Sequence, residues 1–333
     1  MKKLAIIGGG GMACIFAKNA REMNIQTHCY SLKSGIYNKN AFDYIHEVNI
    51  LNREKVLKSC MENEIDGVVS TTELTIAVAA YVADRMNLNG MPLNVAEVIT
   101  DKYRNRRMTE CVKDLKQPKY AEVNSIEEIK ALNFGYPIIL KPTSKGGKRG
   151  VTVIYREEEI DEAFLYAVTD AGEQVFIVEE FIDSDMECSI ESLSYCGQHY
   201  IIQITEKITS GPPHCVELAH HQPANLSEST RFKIENIMKD ALNVIGIENG
   251  ACHTEVKIIG DDIYLIEFNA RPGGDHIADP LIELSTGYSY IKGAIDIALN
   301  QFKGIDRSSF SNKYAGILFV TEQTPELKDI FKV

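Results

Sequence analysis

The sequence lacks the features that mark secreted, membrane-spanning and nucleic-acid-binding proteins. It has no apolar run long enough to cross a bilayer, and the apolar stretch after Met1 is too short for a signal peptide. Its eight cysteines form no C-x-x-C pair, which argues against a zinc ribbon or a disulfide scaffold. Positive charge is scarce as well: 35 Lys and Arg face 47 Asp and Glu, and the net charge of −12 disfavours general binding to nucleic acid or anionic membranes. We therefore expect a globular protein of the cytoplasm whose cysteines are buried free thiols.

The first hundred residues do contain a regular alternation of strand-like and helix-like segments. Short apolar runs at residues 4–7 and 67–70 alternate with helical stretches, a pattern typical of a doubly wound parallel sheet. Asn89-Gly90-Met91-Pro92 interrupts this pattern, and helical sequence resumes over residues 95–112. From Gln117 onward, closely spaced strand-like runs joined by Gly-rich turns predict an α+β unit. The predicted fold class is therefore α/β followed by α+β.

The most informative segment is a pair of strand-like runs, residues 250–259 and 263–271, separated by Gly260-Asp261-Asp262. Successive side chains of a strand point to opposite faces. One face of the second run therefore carries Glu267, Asn269 and Arg271. The other face, directed to a core, carries Ile266, Phe268 and Ala270.

A three-residue loop between these runs would place Glu255 directly opposite Glu267, and His253 opposite Asn269. Carboxylates at opposed positions repel each other unless a cation neutralises them, because their Cβ atoms are roughly 4.5–5.5 Å apart. Mg²⁺ or Mn²⁺ with oxygen ligands is the natural cation for such a pair. The alternatives are a solvated sheet face, or a two-residue turn that puts the two glutamates on opposite faces.

Arg271-Pro272-Gly273-Gly274 follows the second run directly. The guanidinium of Arg271 offers two parallel donors to a phosphate or a carboxylate. The N–H groups of Gly273 and Gly274 are suited to hold a developing oxyanion. We therefore predict catalytic roles for these three residues.

A second glycine-rich segment, residues 143–150, joins two strand-like runs and contains three glycines and three cations. Backbone N–H groups and cations in such a turn are typical of a flap that covers phosphates, and the alternative is an exposed flexible hairpin. Lys141 ends an apolar run, which is an unusual place for a charge unless it serves a ligand. The later run at residues 176–182 has an apolar body that could sandwich a flat base.

A third glycine-rich segment fits G-x-G-x-x-A from Gly8 to Ala13 and suggests a nicotinamide dinucleotide. That fingerprint also needs an acidic residue at the end of the second strand, and the nearest acid here is Asp43. The glycines are therefore interpreted as a tight turn between a strand and a helix.

Together these segments resemble ATP-grasp proteins, in the same order and over nearly the whole chain. The residues that carry the resemblance are Lys102, Lys141, the glycine-rich loop 146–150, the connector 179–182, Glu187, Glu255, Glu267, Asn269 and Arg271. The resemblance implies a Rossmann-like pre-ATP-grasp domain over residues 1–98. It also implies an ATP-grasp domain over residues 99–333 with a lid subdomain at about 118–185. Association into a homodimer through the first domain is a further implication.

The resemblance also implies roles for individual residues, with ATP and Mg²⁺ (or Mn²⁺) as cofactors. Phosphate contacts fall to Lys102 and Lys141, and the flap over the β- and γ-phosphates includes Ser144, Lys145, Gly146, Gly147 and Lys148. The nucleoside contacts are Glu179, Glu180, Phe181 and Ile182 at adenine and Glu187 at the ribose. The metal ligands are Glu255, Glu267 and Asn269. Arg271 would meet the γ-phosphate or an acyl phosphate.

Within this superfamily the chain looks similar to L-amino acid ligases and related carboxylate–amine ligases, because residues 205–224 resemble their substrate loop. This implies substrate contacts at His214, Glu217 and His220, with His220 taking a proton from the attacking ammonium. The alternative for each histidine is that it makes hydrogen bonds at the surface, in a polar loop, without a functional role. Glu206 and Lys207 of the same segment are interpreted as an exposed ion pair.

The implied reaction joins a small carboxylate and an amine, both expected to be amino acids, through an acyl phosphate with release of ADP and phosphate. Two alternatives are a carboxylase or carbamoyl-phosphate-type enzyme that uses bicarbonate, and a nucleotide-binding module without turnover. A nicotinamide-dependent oxidoreductase is a more distant alternative.

Overall fold

The computed structural model describes residues 1–144, 149–184, 186–211 and 216–322, and its first sheet has four parallel strands. Its strands are β1 (Lys3–Ile7), β2 (Gln26–Ser31), β3 (Tyr44–Glu47) and β4 (Gly67–Ser70). The spatial order is β3-β2-β1-β4, and the helices of this unit are α1 (Gly11–Glu22), α2 (Arg53–Glu62) and α3 (Ile76–Arg85). The predicted parallel α/β unit is confirmed, with β3 as a strand that the sequence pattern did not indicate.

The glycine-rich turn between β1 and α1 is packed against the protein's own chain. Gly8 has a φ of +112°, a conformation that favours glycine. A Cβ atom on Gly9 would lie 2.7 Å from the carbonyl oxygen of Gly35. Tyr37 N–H donates a hydrogen bond to the Gly9 carbonyl at 2.8 Å. The glycines thus form a tight turn between β1 and α1, as predicted from the sequence.

Two short helices, α4 (Leu93–Ile99) and α5 (Lys102–Thr109), connect this unit to the rest of the chain. The sequence suggested a continuous helix over residues 95–112. This was wrong, because the helix is interrupted at Thr100 and Asp101. The Asp101 carboxylate caps α5 by accepting the Arg104 N–H at 2.9 Å. The break places Lys102 at the first position of α5.

A four-stranded antiparallel sheet follows, covered by two helices. Its strands are β6 (Tyr120–Val123), β7 (Ile138–Pro142), β8 (Thr152–Ile154) and β9 (Phe176–Glu180), in the order β6-β9-β7-β8. Its helices are α6 (Ile126–Ala131) and α7 (Ile160–Ala171). These elements fall in the segment expected to form the lid subdomain, and the domain boundaries themselves stay predictions.

The largest sheet has seven strands and carries the predicted metal ligands Glu255, Glu267 and Asn269. Its strands are β5 (Leu115–Lys116), β10 (Met186–Tyr195), β11 (Gln198–Thr209), β12 (Glu217–Gln222), β13 (Gly250–Ile259), β14 (Asp262–Asn269) and β15 (Ala315–Leu318). The order is β15-β12-β11-β10-β13-β14-β5, and every pairing is antiparallel except β14 with β5. The remaining helices are α8 (Glu228–Ile245), α9 (Ile282–Thr286) and α10 (Tyr290–Ala298).

The core on this sheet is formed by the side chains that point to one face of the strands and by one face of α8. Ser227 caps the start of α8, and Gly246 ends it with a φ of +85°. Met238 and Leu242 of α8 pack in one core cluster with Val256 and Phe268 of the hairpin. This packing fixes which face of β13 and β14 is left to line a site.

The described cysteines are free thiols, as expected, but the expectation that all are buried was wrong. Cys29, Cys60, Cys188 and Cys252 are buried, whereas Cys111 and Cys196 are exposed. None of the helices in the described part of the chain combines the length and apolar character that crossing a bilayer requires.

Candidate active site

A cleft of about 350 Å³ brings together most of the residues that the sequence predicted for the site. It lies between the hairpin of the seven-stranded sheet and the four-stranded sheet, with the start of α5 at one side. The predicted residues that line it are Lys102, Lys141, Glu179, Glu180, Phe181, Ile182, Glu187, Glu217, Glu255, Glu267, Asn269 and Arg271. Lys145, Gly146, Gly147, Lys148 and His214 lie outside the described residues.

The carboxylate hairpin has the predicted pairing but not the predicted turn. β13 and β14 are joined by two residues, because Ile259 pairs with Asp262. A shift of register between Glu255 and Val256 then inserts Ile266 as an extra residue in β14. The insertion restores the predicted pairing of Glu255 with Glu267, since it compensates for the shorter turn.

The same insertion changes the surroundings of Ile266. The sequence pattern assigned this residue to the core with Phe268, and the assignment of Ile266 was wrong. Phe268 is buried in the main core, whereas Ile266 lines the cleft beside Glu267. A β-bulge breaks the two-residue alternation, so neighbouring side chains share a face.

Lys207 is the centre of the acidic side of the cleft. Its ammonium lies 2.7 Å from a carboxylate oxygen of Glu255, 3.1 Å from Glu187 and 3.3 Å from Glu217. The interpretation of Lys207 as part of an exposed ion pair was wrong, because only 8% of it is exposed. One lysine thus faces three carboxylates, which leaves this side of the cleft short of positive charge.

Glu255 and Glu267 are both partly buried and both held ionised by cations. Burial alone would raise the pKa of Glu255, but Lys207 and then His253 bring it well below its usual range. Burial acts in the same way on Glu267, whose pKa is lowered because Lys102 lies 2.9 Å from its carboxylate. Asn269 occupies the next position on the same face of β14 and pairs with His253.

These residues fit a divalent cation that is held partly by phosphate and water. Within the described ranges, no group of three or more acidic, histidine or cysteine side chains is arranged to hold a metal on its own. Two opposed carboxylates with a nearby amide oxygen are nevertheless the donors that Mg²⁺ takes when substrate phosphates complete its shell. The ammonium groups of Lys102 and Lys207 neutralise the carboxylates of Glu267 and Glu255, respectively.

On the opposite side of the cleft, Glu179 lies between two cations. Its carboxylate is 2.6 Å from Arg106 Nε and 2.7 Å from Lys141 Nζ, and only 2% of the residue is exposed. Burial alone would raise the pKa of Glu179, but Arg106 and Lys141 lower it to about 2. The guanidinium of Arg106 also donates to the carbonyl of Ile266 at 2.8 Å, which ties α5 to the bulge.

The connector after β9 forms the apolar wall of the cleft. Lys257 Nζ lies 4.9 Å from the centre of the Phe181 ring and donates to the Ile182 carbonyl at 2.9 Å. Glu187 lies between Lys257 and Lys207, at 3.9 Å and 3.1 Å respectively. The proposed contacts of this wall with adenine and ribose stay predictions.

Arg271 is held by a residue from the first sheet unit. Glu73, in the 3₁₀ turn Glu73–Thr75 after β4, accepts hydrogen bonds from Nε of Arg271 at 3.0 Å and from its terminal nitrogen. Burial alone would lower the pKa of Arg271, but Glu73 raises it. The guanidinium therefore enters the cleft fully charged.

The two glycines after Arg271 differ in their surroundings. The Gly273 N–H donates to Glu191 Oε2 at 3.0 Å, so in this arrangement it is engaged inside the protein. A Cβ atom on Gly274 would meet nothing within 4 Å. The predicted contact with an oxyanion stays a prediction for both residues.

His220 and Ser144 lie at the borders of the cleft. His220 is 0% exposed, pairs with Lys207 between β11 and β12, and packs edge-on against Phe319. Neither of its ring nitrogens has a hydrogen-bond partner among the described residues, and burial lowers its pKa. Its imidazole is therefore neutral near pH 7. The Ser144 hydroxyl donates to the Glu173 carboxylate and lines a small neighbouring pocket with Lys102.

Sequence reasoning missed several charged residues of this site, namely Glu73, Arg106, Glu191, Lys207 and the role of His253. Glu191 and Lys207 carry a usable signal, since Glu191 interrupts a buried run in β10 and Lys207 follows the buried residues 201–205 of β11. The same signal drew attention to Lys141. Glu73 and Arg106 carry no such signal, because their partners are remote in sequence.

Most of the residues that line the cleft lie in a segment that matches a known family model. Residues 134–279 match the family model described as an ATP-grasp domain, and the fold predicted from the resemblance is confirmed. Among curated proteins the chain is 29% identical to alanine–anticapsin ligase of Bacillus subtilis, over 66% of this chain and 51% of that protein. It thus spans about half the length of that relative.

Two solved structures share the fold over most of the chain. The L-amino acid ligase from Bacillus licheniformis superposes with a TM-score of 0.80 at 24% identity, covering 95% of this chain and 79% of that one. N5-carboxyaminoimidazole synthetase from Staphylococcus aureus, solved with ADP, gives a TM-score of 0.81 at 16% identity, covering 99% and 85%. The names of alanine–anticapsin ligase and of the L-amino acid ligase agree with the predicted class, an ATP-dependent ligase.

Proposed function

We propose that this protein is an ATP-dependent carboxylate–amine ligase. It activates the carboxylate of one amino acid as an acyl phosphate and transfers the acyl group to the amine of a second molecule, releasing ADP and phosphate. The observation that carries the proposal is the pairing of Glu255 with Glu267 inside a cleft whose other side presents Lys141. The resemblance to amino acid ligases supports the choice of substrates.

The first step needs charge neutralisation more than covalent chemistry. The substrate carboxylate attacks the γ-phosphate, and negative charge crowds around the transferred group. Mg²⁺, when held by Glu255, Glu267 and Asn269, supplies part of the compensating charge. Lys102, Lys141 and Arg271, which line the cleft, supply the rest by binding phosphate oxygens.

The second step needs a free amine next to the acyl phosphate. Glu217, which lines the cleft on β12, attracts the ammonium of the incoming molecule. His220 is neutral and buried beside Lys207, so it accepts a proton from that ammonium. Attack of the amine then forms the amide bond and expels phosphate.

The test is phosphate release with Mg-ATP across single and paired amino acids and small carboxylates. Release that needs two partners, together with a new amide detected by mass, supports ligation. Release driven by bicarbonate without an amide would instead favour a carboxylase. Nucleotide binding without phosphate release in any mixture would favour a module without turnover.

A further inference from the structure

A buried carboxylate and a buried imidazole lie directly behind the cleft. Glu191 on β10 pairs with His253 on β13, and Glu191 is 0% exposed. One oxygen of Glu191 is hydrogen-bonded to Nδ1 of His253. Its other oxygen accepts the N–H of Gly273 at 3.0 Å. Nε2 of His253 lies 3.2 Å from Oε1 of Glu255.

These contacts form a continuous connection from the loop after β14 to the carboxylate of Glu255. The packing is tight, because a Cβ atom on Gly273 would lie 2.6 Å from Oε1 of Glu191 and 2.7 Å from Nδ1 of His253. The adjacent backbone is also fixed, since the buried Tyr290 hydroxyl donates to the Ser192 carbonyl at 3.0 Å. Only glycine fits at position 273.

The position of this pair excludes direct contact with substrate. Of the connected residues, Glu255 lines the cleft, whereas Glu191 and His253 lie behind it. A buried carboxylate on a strand is costly unless it is fully hydrogen-bonded, and an apolar side chain would fill the same space without that cost. Glu191 and His253 therefore affect the cleft through the groups that they hydrogen-bond, namely Gly273 and Glu255.

We propose that Glu191 and His253 are positioning residues that fix the carboxylate of Glu255 for a divalent cation and fix the Gly273-Gly274 turn beside it. The inference rests on the proposed function, since it assigns these residues to the metal side of that cleft. Hydrogen bonds from an outer residue set the direction of a ligand's oxygen atoms, and their loss typically reduces metal affinity or activity about 10- to 100-fold.

Two variants of His253 separate its two contacts. The side-chain amide of asparagine takes the place of Nδ1, so His253→Asn keeps a donor near Glu191 and loses the contact with Glu255. The amide of glutamine reaches the place of Nε2, so His253→Gln keeps the donor to Glu255. His199→Asn is the control, because His199 is also hydrogen-bonded through both ring nitrogens, but its partners Ser194 and Asn243 do not line the cleft.

Binding of Mn²⁺ in the presence of ADP, followed by electron paramagnetic resonance, gives a readout that does not need turnover. We expect His253→Asn to weaken Mn²⁺ binding about 10- to 100-fold, with His253→Gln and His199→Asn within about threefold of the natural protein. In phosphate-release assays, the KM for Mg²⁺ should rise in His253→Asn while the KM for the amino acids is unchanged.

Glu191→Gln keeps the test decisive if His253→Asn does not fold. This variant retains an oxygen for the Gly273 N–H, and we expect it to weaken Mn²⁺ binding while thermal unfolding stays cooperative. Equal Mn²⁺ affinity in the natural protein and in the folded variants would overturn the positioning role and leave the proposed function standing. Absence of Mn²⁺ binding in the natural protein with ADP would overturn both.

Discussion

The two sides of the cleft hold their carboxylates with opposite charge balances. On one side, the single carboxylate of Glu179 lies between Arg106 and Lys141. On the other side, the ammonium of Lys207 lies among the carboxylates of Glu187, Glu217 and Glu255, and a second ammonium, that of Lys257, lies near Glu187 alone. Glu179 is almost fully buried, whereas the three carboxylates around Lys207 are each about one fifth exposed.

The difference in charge balance indicates what each side binds. A carboxylate with two cations is satisfied within the protein, and its excess positive charge suits phosphate. A lysine with three carboxylates leaves negative charge uncompensated, which suits a divalent cation and a substrate ammonium. The cleft is therefore polarised in the way that a bound metal–nucleotide complex requires.

The largest expected effect comes from Glu267→Gln on the acidic side. Loss of this carboxylate removes a ligand whose charge stabilisation is worth several kcal/mol, so phosphate release should fall about 10²- to 10³-fold. Thermal unfolding should stay cooperative, because glutamine fills the same space. Glu64→Gln removes a carboxylate from the surface and serves as the control, since its side chain is 86% exposed. Retained turnover in Glu267→Gln would refute the metal assignment.

On the cationic side, Glu179→Gln should lower the free energy of unfolding. The pKa of Glu179 in the folded protein is about 2, below the 4.5 of an unperturbed glutamate. Ionised Glu179 thus contributes about 3 kcal/mol to the free energy of unfolding above pH 4.5, and this contribution is lost as the pH falls towards 2.

Urea unfolding of Glu179→Gln and the natural protein at pH 7 and at pH 3 measures this contribution. The difference between the two proteins should be about 3 kcal/mol at pH 7 and should shrink at pH 3. A difference that stays constant with pH would show that the ion cluster with Arg106 and Lys141 does not hold Glu179 ionised.

A smaller effect is expected from Glu187→Gln, which removes one of the three carboxylates around Lys207. Its proposed partner is the ribose, and a hydrogen bond to a charged group is worth about 1.5–3 kcal/mol. The KM for ATP should therefore rise about 10-fold or more, with kcat within about threefold. An unchanged KM for ATP would remove Glu187 from the nucleotide site.

The smallest effect is expected from an ion pair outside the cleft. Arg307 donates to both oxygens of Glu235 at 2.8 and 2.9 Å, but its side chain is 45% exposed. Arg307→Gln should change the free energy of unfolding by less than about 1 kcal/mol and leave turnover unaltered. A loss of unfolding free energy as large as that of Glu179→Gln would mean that burial does not explain the difference in strength between the two ion pairs.

The sequence allowed the parallel sheet and most residues of the cleft to be predicted, because each depends on a local pattern. The pairing of Glu255 with Glu267 was predicted from the wrong turn, and the bulge at Ile266 compensates for the difference. A bulge leaves no clear mark in a sequence of alternating residues.

Contacts between distant segments were beyond sequence reasoning. Glu73 reaches Arg271 from a turn in the first sheet unit, and no spacing of residues encodes that approach. Lys207 was misjudged because a charge next to Glu206 suggests a surface pair, although residues 201–205 of the same strand are buried. The surroundings of a charge, rather than its nearest opposite charge, would have given the better prediction.

The most direct test of the metal assignment is a crystal structure with ADP and Mn²⁺, examined by anomalous scattering at the manganese edge. We predict a manganese peak between Glu255 and Glu267, at about 2.1 Å from a carboxylate oxygen of each. Well-ordered ADP with no manganese peak at this position, and with Lys102 and Lys207 still bound to the two glutamates, would contradict it.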